Sequence, residues 1–307
     1  MLAEESISVS RGGIIVVNLR ATWRRRAKIV PGVLSAIVRI VLASALAWGA
    51  GTMAAAGTEL YRAQAIVTGQ GEANRIVGFA SCLEDVLIKV SGAQKLAGDR
   101  RLAAYKSNAK SVVKAFSYHD QFSGKPHRDE QGTRDRPYDL TVDFDEAKVG
   151  GILKALALKP WLSPRPRLAV FVEMKQGPKN FIVTADGAQS DLQRDALLAA
   201  ADRRGMDIVL PSAAALTKAS LDGAELKAVP FSTLASVAAE QGGEVALVGE
   251  LVWDERKLGW ATQWRVDWRG RTYRWQVRGG TFDEAFRRGI GGAAQVLSGN
   301  GDPGGRG

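Results

Sequence analysis

The chain has 307 residues, 46% of them apolar and 24% charged, the proportions of an ordinary globular protein long enough for two domains. A net charge of +10 would suggest a nucleic-acid partner if it were evenly spread, but residues 1–56 hold Arg11, Arg20, Arg24, Arg25, Arg26, Lys28 and Arg39 against Glu4 and Glu5, half of the excess. The remainder is only mildly basic, which argues against nucleic acid.

The N-terminus reads as an address. The basic cluster "RATWRRRAKIVPG" precedes "VLSAIVRIVLASALAWGAGTMAAAG", an apolar run ending in small residues, as an export signal requires. Cleavage after Ala56 would release a mature chain into the periplasm. Without cleavage, residues 33–56 are nearly long enough to cross a hydrocarbon core of about 30 Å and would anchor the protein in the inner membrane. Either route exports the body and keeps the arginines inside. Arg39, within the apolar run, and the long basic segment weaken the signal-peptide pattern.

Next, "ELYRAQAIVTG" alternates as a strand does, and Gly69 and Gly71 close it. Ile76, Phe79, Ala80, Leu83, Val86, Leu87 and Val90 then form one helical stripe, with Gly92 placed to end it. Cys82, the only cysteine, falls in this stripe and predicts a buried structural thiol. "RRLAAYKSNAKSVVKAF" predicts a second helix, and residues 117–137, rich in polar residues, a loop or hairpin tip. "YDLTVDFD" turns Leu140, Val142 and Phe144 inward as a strand, after which Asp145 is placed to cap a helix from Glu146.

In "LKPWLSPRPRLAVFVEM", Pro160, Pro164 and Pro166 forbid helix, and a run of β-formers follows. This is a seam, with Trp161 as a plug between two halves. The organisation predicted is 1–56 signal or anchor, 57–159 and 160–298 two small mixed domains, and 299–307 a disordered tail. Beyond the seam come a strand at 167–174, a helix at 188–204, a short strand at 206–210, helical stretches near 211–217 and 230–241, three strands, and a helix at 281–297. "WATQWRVDW" puts Trp260, Trp264 and Trp268 on one face, and "TYRWQV" puts Tyr273 with Trp275. The fold class is α+β or α/β, its second domain an antiparallel strand meander packed by helices, with the indoles as core beneath the last helix.

Chemistry is sparse. His119 and His127, with Asp120, Asp129 and Glu130, match no strong metal spacing, so no metal or cofactor is expected. There is no GxSxG, GxGxxG or GxxxxGK[ST] motif. Glu84 and Asp85 read as a solvated helix flank, and Arg203 and Arg204 as cations suited to a helix's last turn. Low-ranking catalytic candidates are Asp143, Asp145 and Glu84. Candidate binding residues are Trp161 and the polar sheet face bearing Gln263, Arg265, Arg274 and Gln276.

"ELYRAQAIVTGQGEANR", "LIKVSG", "YDLTVDFD", "LKPWLSPRPRLAVFV" and "RRGMDIVLP" together resemble domain-of-unknown-function family 2066, a family of exported proteobacterial proteins. The resemblance implies export and two α/β parts, and carries no catalytic residues. In layout alone the chain also looks like periplasmic accessory proteins such as the flagellar assembly protein T. The expected function is a non-catalytic envelope accessory, binding or scaffold protein whose partner is another envelope protein or a cell-wall component. The alternative is a periplasmic hydrolase or transferase acting on cell-wall carbohydrate.

Overall fold

Two sheets follow from the alternating stretches. A computed structural model describes residues 59–123, 136–223 and 225–305, all within one compact unit, Thr52–Gly307. Strands β1 (Arg62–Thr68), β2 (Val113–Asp120) and β3 (Pro137–Phe144) form an antiparallel sheet in the order β1-β3-β2. Leu140, Val142 and Phe144 of the central strand are buried with Phe79, Leu83, Val86 and Leu87 of helix α1 (Glu72–Ser91). Gly92, at φ 73°, ends α1 by donating its N–H to the Ile88 carbonyl. Helix α2 (Ala103–Ser107) is short, and α3 (Glu146–Ala155) follows β3.

The helix expected over 100–116 is corrected. Only Ala103–Ser107 is α-helical, flanked by 3₁₀ turns, and Val113–Asp120 is an edge strand hydrogen-bonded to β3. β-Branched Val112 and Val113 mark the change, and the alternation of Phe116 and Tyr118 continues it into what reads as loop.

The second sheet runs β5-β4-β7-β8-β9, with β6 also paired to β4. Its strands are β4 (Leu168–Gln176), β5 (Lys179–Ile182), β6 (Ile208–Val209), β7 (Val245–Asp254), β8 (Gly259–Trp268) and β9 (Arg271–Gly279). β4 and β7 are parallel, while β7, β8 and β9 form an antiparallel meander. The crossover from β4 to β7 carries α4 (Asp191–Arg204), α5 (Ala213–Lys218) and α6 (Phe231–Glu240); α7 (Phe282–Leu297) closes the order. This mixture of helices with a packed meander is α+β.

The two faces of this sheet differ in kind. On one, Trp260, Trp264 and Trp275 are buried with Phe286 and Ile290 of α7, as the period-two pattern predicts; Trp268 and Tyr273 pack at the margin. Trp264, 1% exposed, donates its indole N–H to the Thr262 hydroxyl at 2.9 Å. A Cβ on Gly249 of β7 would come within 2.6 Å of the Trp264 ring, and one on Gly289 of α7 would overlap it from the other side. Two glycines therefore make the slot that this indole fills. On the opposite face Ala169, Phe171, Ala246 and Val248 pack with Leu216, Leu234 and Val237 of α5 and α6. That apolar cover ends at β7, leaving Gln263, Arg274 and Gln276 on the polar side of β8 and β9 exposed.

Residues 158–167 carry no regular structure, as their prolines require, and the Trp161 N–H donates to the Val90 carbonyl at 2.7 Å. The disordered tail expected from composition is corrected for residues 299–305. Asn300 Nδ2 donates to the Ser91 carbonyl at 2.8 Å, Asp302 pairs with Arg271 at 3.3 Å, and Gly304 lies against the Arg274 carbonyl. No helix among the described residues is long and apolar enough to cross a membrane, and residues 33–56 lie outside them.

Candidate functional site

The pairing register brings the predicted binding residues of the sheet together. Gln263 stands opposite Gln276 and Arg265 opposite Arg274, while Glu250 of β7 stands opposite Gln263. With Lys227 and the C-terminal Pro303 they line an open groove of about 550 Å³.

The two arginines have different roles. Arg265 is tied down: its Nη2 donates to the Leu226 and Val229 carbonyls at 2.7 and 2.9 Å, and its guanidinium lies over the Phe231 ring. Burial, reinforced by the nearby Arg274 charge, pushes its pKa down. It therefore braces the segment before α6 as well as walling the groove. Arg274 is exposed and its guanidinium makes no hydrogen bond or ion pair with a described residue, so it is the available cation.

At the other end stands a chain of charges that sequence reasoning missed. Glu173, 1% exposed, takes the Leu226 N–H at 3.1 Å and pairs with Lys175 at 3.0 Å. Lys175 bonds Glu250 at 2.8 Å, and Glu250 lies 3.9 Å from Lys227. Burial opposes the Lys175 charge, but the hydrogen bonds to Glu250 and Glu173 outweigh it and hold its pKa up at about 12. Such pairing is hidden from sequence because β4 meets β7 only across a crossover of some seventy residues.

The candidate catalytic carboxylates do not converge. Asp143 accepts from Arg62 Nε at 2.7 Å, and Asp145 caps α3 by accepting the Lys148 N–H at 2.9 Å, as expected of it. Glu84 takes the Gly98 N–H at 3.1 Å and pairs with Lys106. Glu84 and Asp143 line different cavities. His119 stands opposite Asp139 on the outer face of the first sheet, while His127, Asp129 and Glu130 lie outside the described residues.

The seam holds the largest departure from expectation. Asp85, read as a solvated flank, is 6% exposed. It accepts from Arg203 Nε at 2.8 Å and from buried Arg204 Nη1 at 3.0 Å, so the arginines read as helix-end cations instead bridge α4 to α1. Beside them Trp161 is buried under Arg165, whose guanidinium sits 4.4 Å from the indole centroid. Arg165 has no carboxylate partner among the described residues. Its Nη atoms donate to the Lys89, Arg204 and Gly205 carbonyls, the C-terminal ends of α1 and α4, where helix dipoles favour a cation. Burial pushes its pKa down to about 10, which leaves it charged at neutral pH. Trp161 thus sits as a plug, offering little ring surface to a ligand. Cys82 is buried nearby, and burial, then the Asp85 charge, raises its thiol pKa to about 12, which makes it a poor nucleophile.

Comparison with known proteins corrects the family resemblance. Residues 54–162 match a different family, described as a domain of unknown function (DUF8605), and the match ends one residue past Trp161. The stretches that suggested family 2066 are core alternation and helix-end patterns, which unrelated α/β layers share because they pack by the same rules. No curated protein matches the chain. About a third of the chain, the part built on β1, β2 and β3, is therefore similar to the DUF8605 family, whose description names no activity.

Proposed function

We propose that this is an exported, non-catalytic binding protein of the cell envelope, whose partner docks on the open face of the second sheet. The observation that carries the reading is the asymmetry of that sheet. One face is sealed by indoles and α7, while the other presents Gln263, Gln276 and the unpaired Arg274 in a groove walled by Lys227 and Arg265. Exposed amides beside an available cation, Arg274, favour hydrogen bonds with an acidic or amide-rich segment of another envelope protein. The structural duties of Asp143, Asp145 and Glu84 also favour binding over hydrolysis. Export is supported by the basic-then-apolar N-terminal pattern.

A photo-crosslinking amino acid at position 263 or 276 tests the docking face. The expected result is a discrete adduct in the envelope fraction, lost on Arg274→Glu. The same probe at Leu192, exposed on α4, should give none. Adducts equally frequent at all three positions, or indifferent to Arg274→Glu, would remove the proposed face. Full-length protein confined to the cytosol would remove export.

A further inference from the structure

Adjoining the open face is a second cavity of about 770 Å³, where the turn after α1, strand β9, helix α7 and the C-terminal segment meet. Trp275 is 3% exposed, and its indole N–H has no acceptor among the described residues. Trp275 and Gly292 both line this cavity. The indole nitrogen lies 2.5 Å from where a Cβ on Gly292 would stand, so the N–H edge packs on the bare backbone of α7, buried just under the cavity wall. A buried donor without an acceptor is costly and calls for explanation.

Hydrogen-bond accounting shows what else faces this space. The Gln295 side-chain oxygen accepts from the Lys95 backbone N–H at 2.8 Å, and the Gln94 oxygen accepts from Arg204 Nε at 2.9 Å. Both partners can only donate, so the amide orientations are forced and each glutamine is left with its NH₂ group. Among the described residues Lys95 Nζ reaches only the Asn300 carbonyl, at 3.4 Å. The two acids of the wall are neutralised: Glu284 pairs with Arg288 at 3.5 Å and Asp302 with Arg271 at 3.3 Å. What remains toward the cavity is two amide NH₂ groups and the Lys95 ammonium, with the Gln276 amide and the Asn300 amide oxygen beside them, and the unsatisfied indole N–H just beneath that surface.

From this we infer a binding site for a carboxylate, carried by a small organic acid or by a peptide C-terminus. The site is distinct from the protein-docking groove, although Trp275, Gln276 and Pro303 wall both. A carboxylate supplies several acceptor positions and the opposite charge to Lys95, and charge-assisted bonds of this kind are the strong ones.

The indole ¹H–¹⁵N resonance of Trp275 in the purified full chain, assigned by its loss in Trp275→Phe, reads occupancy directly. Succinate stands for free acids, N-acetylglycylglycine for peptide termini, and N-acetylglycylglycinamide is the uncharged control. The expected result is a saturable shift with one or both carboxylates and none with the amide; whichever carboxylate acts identifies the source. Lys95→Ala and Gln295→Ala, which keep the reporting indole, should each weaken binding about tenfold. An indole signal indifferent to both carboxylates, or shifted equally by the amide and unaffected by Lys95→Ala, would overturn the inference.

Discussion

Trp264→Ala is expected to cost about 3–5 kcal/mol, the range for deleting a fully buried aromatic side chain. The indole is 1% exposed and fills a slot between Gly249 and Gly289 that no neighbour can enter without moving a strand or a helix. Its loss also leaves the Thr262 hydroxyl, which donates to the Val277 carbonyl at 3.1 Å, without its indole donor. Trp268, at the margin of the same face, should cost well under half as much. The reciprocal change, Gly289→Ala, pushes a methyl into the ring and should cost about 1–3 kcal/mol through overpacking. Urea unfolding of the three variants measures all of this. Equal losses at Trp264 and Trp268 would mean that the slot is not the source of stability.

Asp85→Ala is expected to be as damaging, by about 3–5 kcal/mol, because it strands Arg204 in the interior and leaves Arg203 unpaired. The pair itself is not a large net stabiliser, since desolvating both charges offsets most of their attraction. Removing both sides should therefore restore much of what one removal loses. Asp85→Leu combined with Arg204→Met should fall closer to wild type than Asp85→Ala does. Because this contact joins α1 to α4, the single variant should also loosen the two sheets from each other, seen as unfolding in two steps rather than one. A double variant as unstable as the sum of its single changes would show that the charges act independently.

How much of this was written in the sequence depends on whether a feature is local. The tryptophan pattern of β8 and β9, the Asp145 cap and the break in regular structure at residues 158–167 were legible, because period-two alternation, capping and proline geometry act within a few residues. The open face bearing Gln263, Arg265, Arg274 and Gln276 followed from the same alternation read in its other phase. Strand β2 was lost to a helix because "SVVKAF" satisfies both periods in so short a run. β5 was missed because four residues after a tight turn leave little pattern. Asp85 and Arg204, separated by more than a hundred positions, gave no sign of their partnership, and a charged residue in isolation is rightly expected in solvent. Nor could Gly289 and Gly292 of "RRGIGGAAQ" be understood before the indoles they face, Trp264 and Trp275, were placed.

Hydroxyl-radical footprinting of the native chain, read peptide by peptide with mass spectrometry, tests the asymmetry of the second sheet most directly. Trp260, Trp264 and Trp275 should be protected, although indoles are intrinsically among the more reactive side chains, while Val252 and Leu258, exposed on the same meander, should be labelled. Oxidation of those three indoles at the rate of the denatured chain would contradict the account, because the face taken as sealed would then be open to solvent.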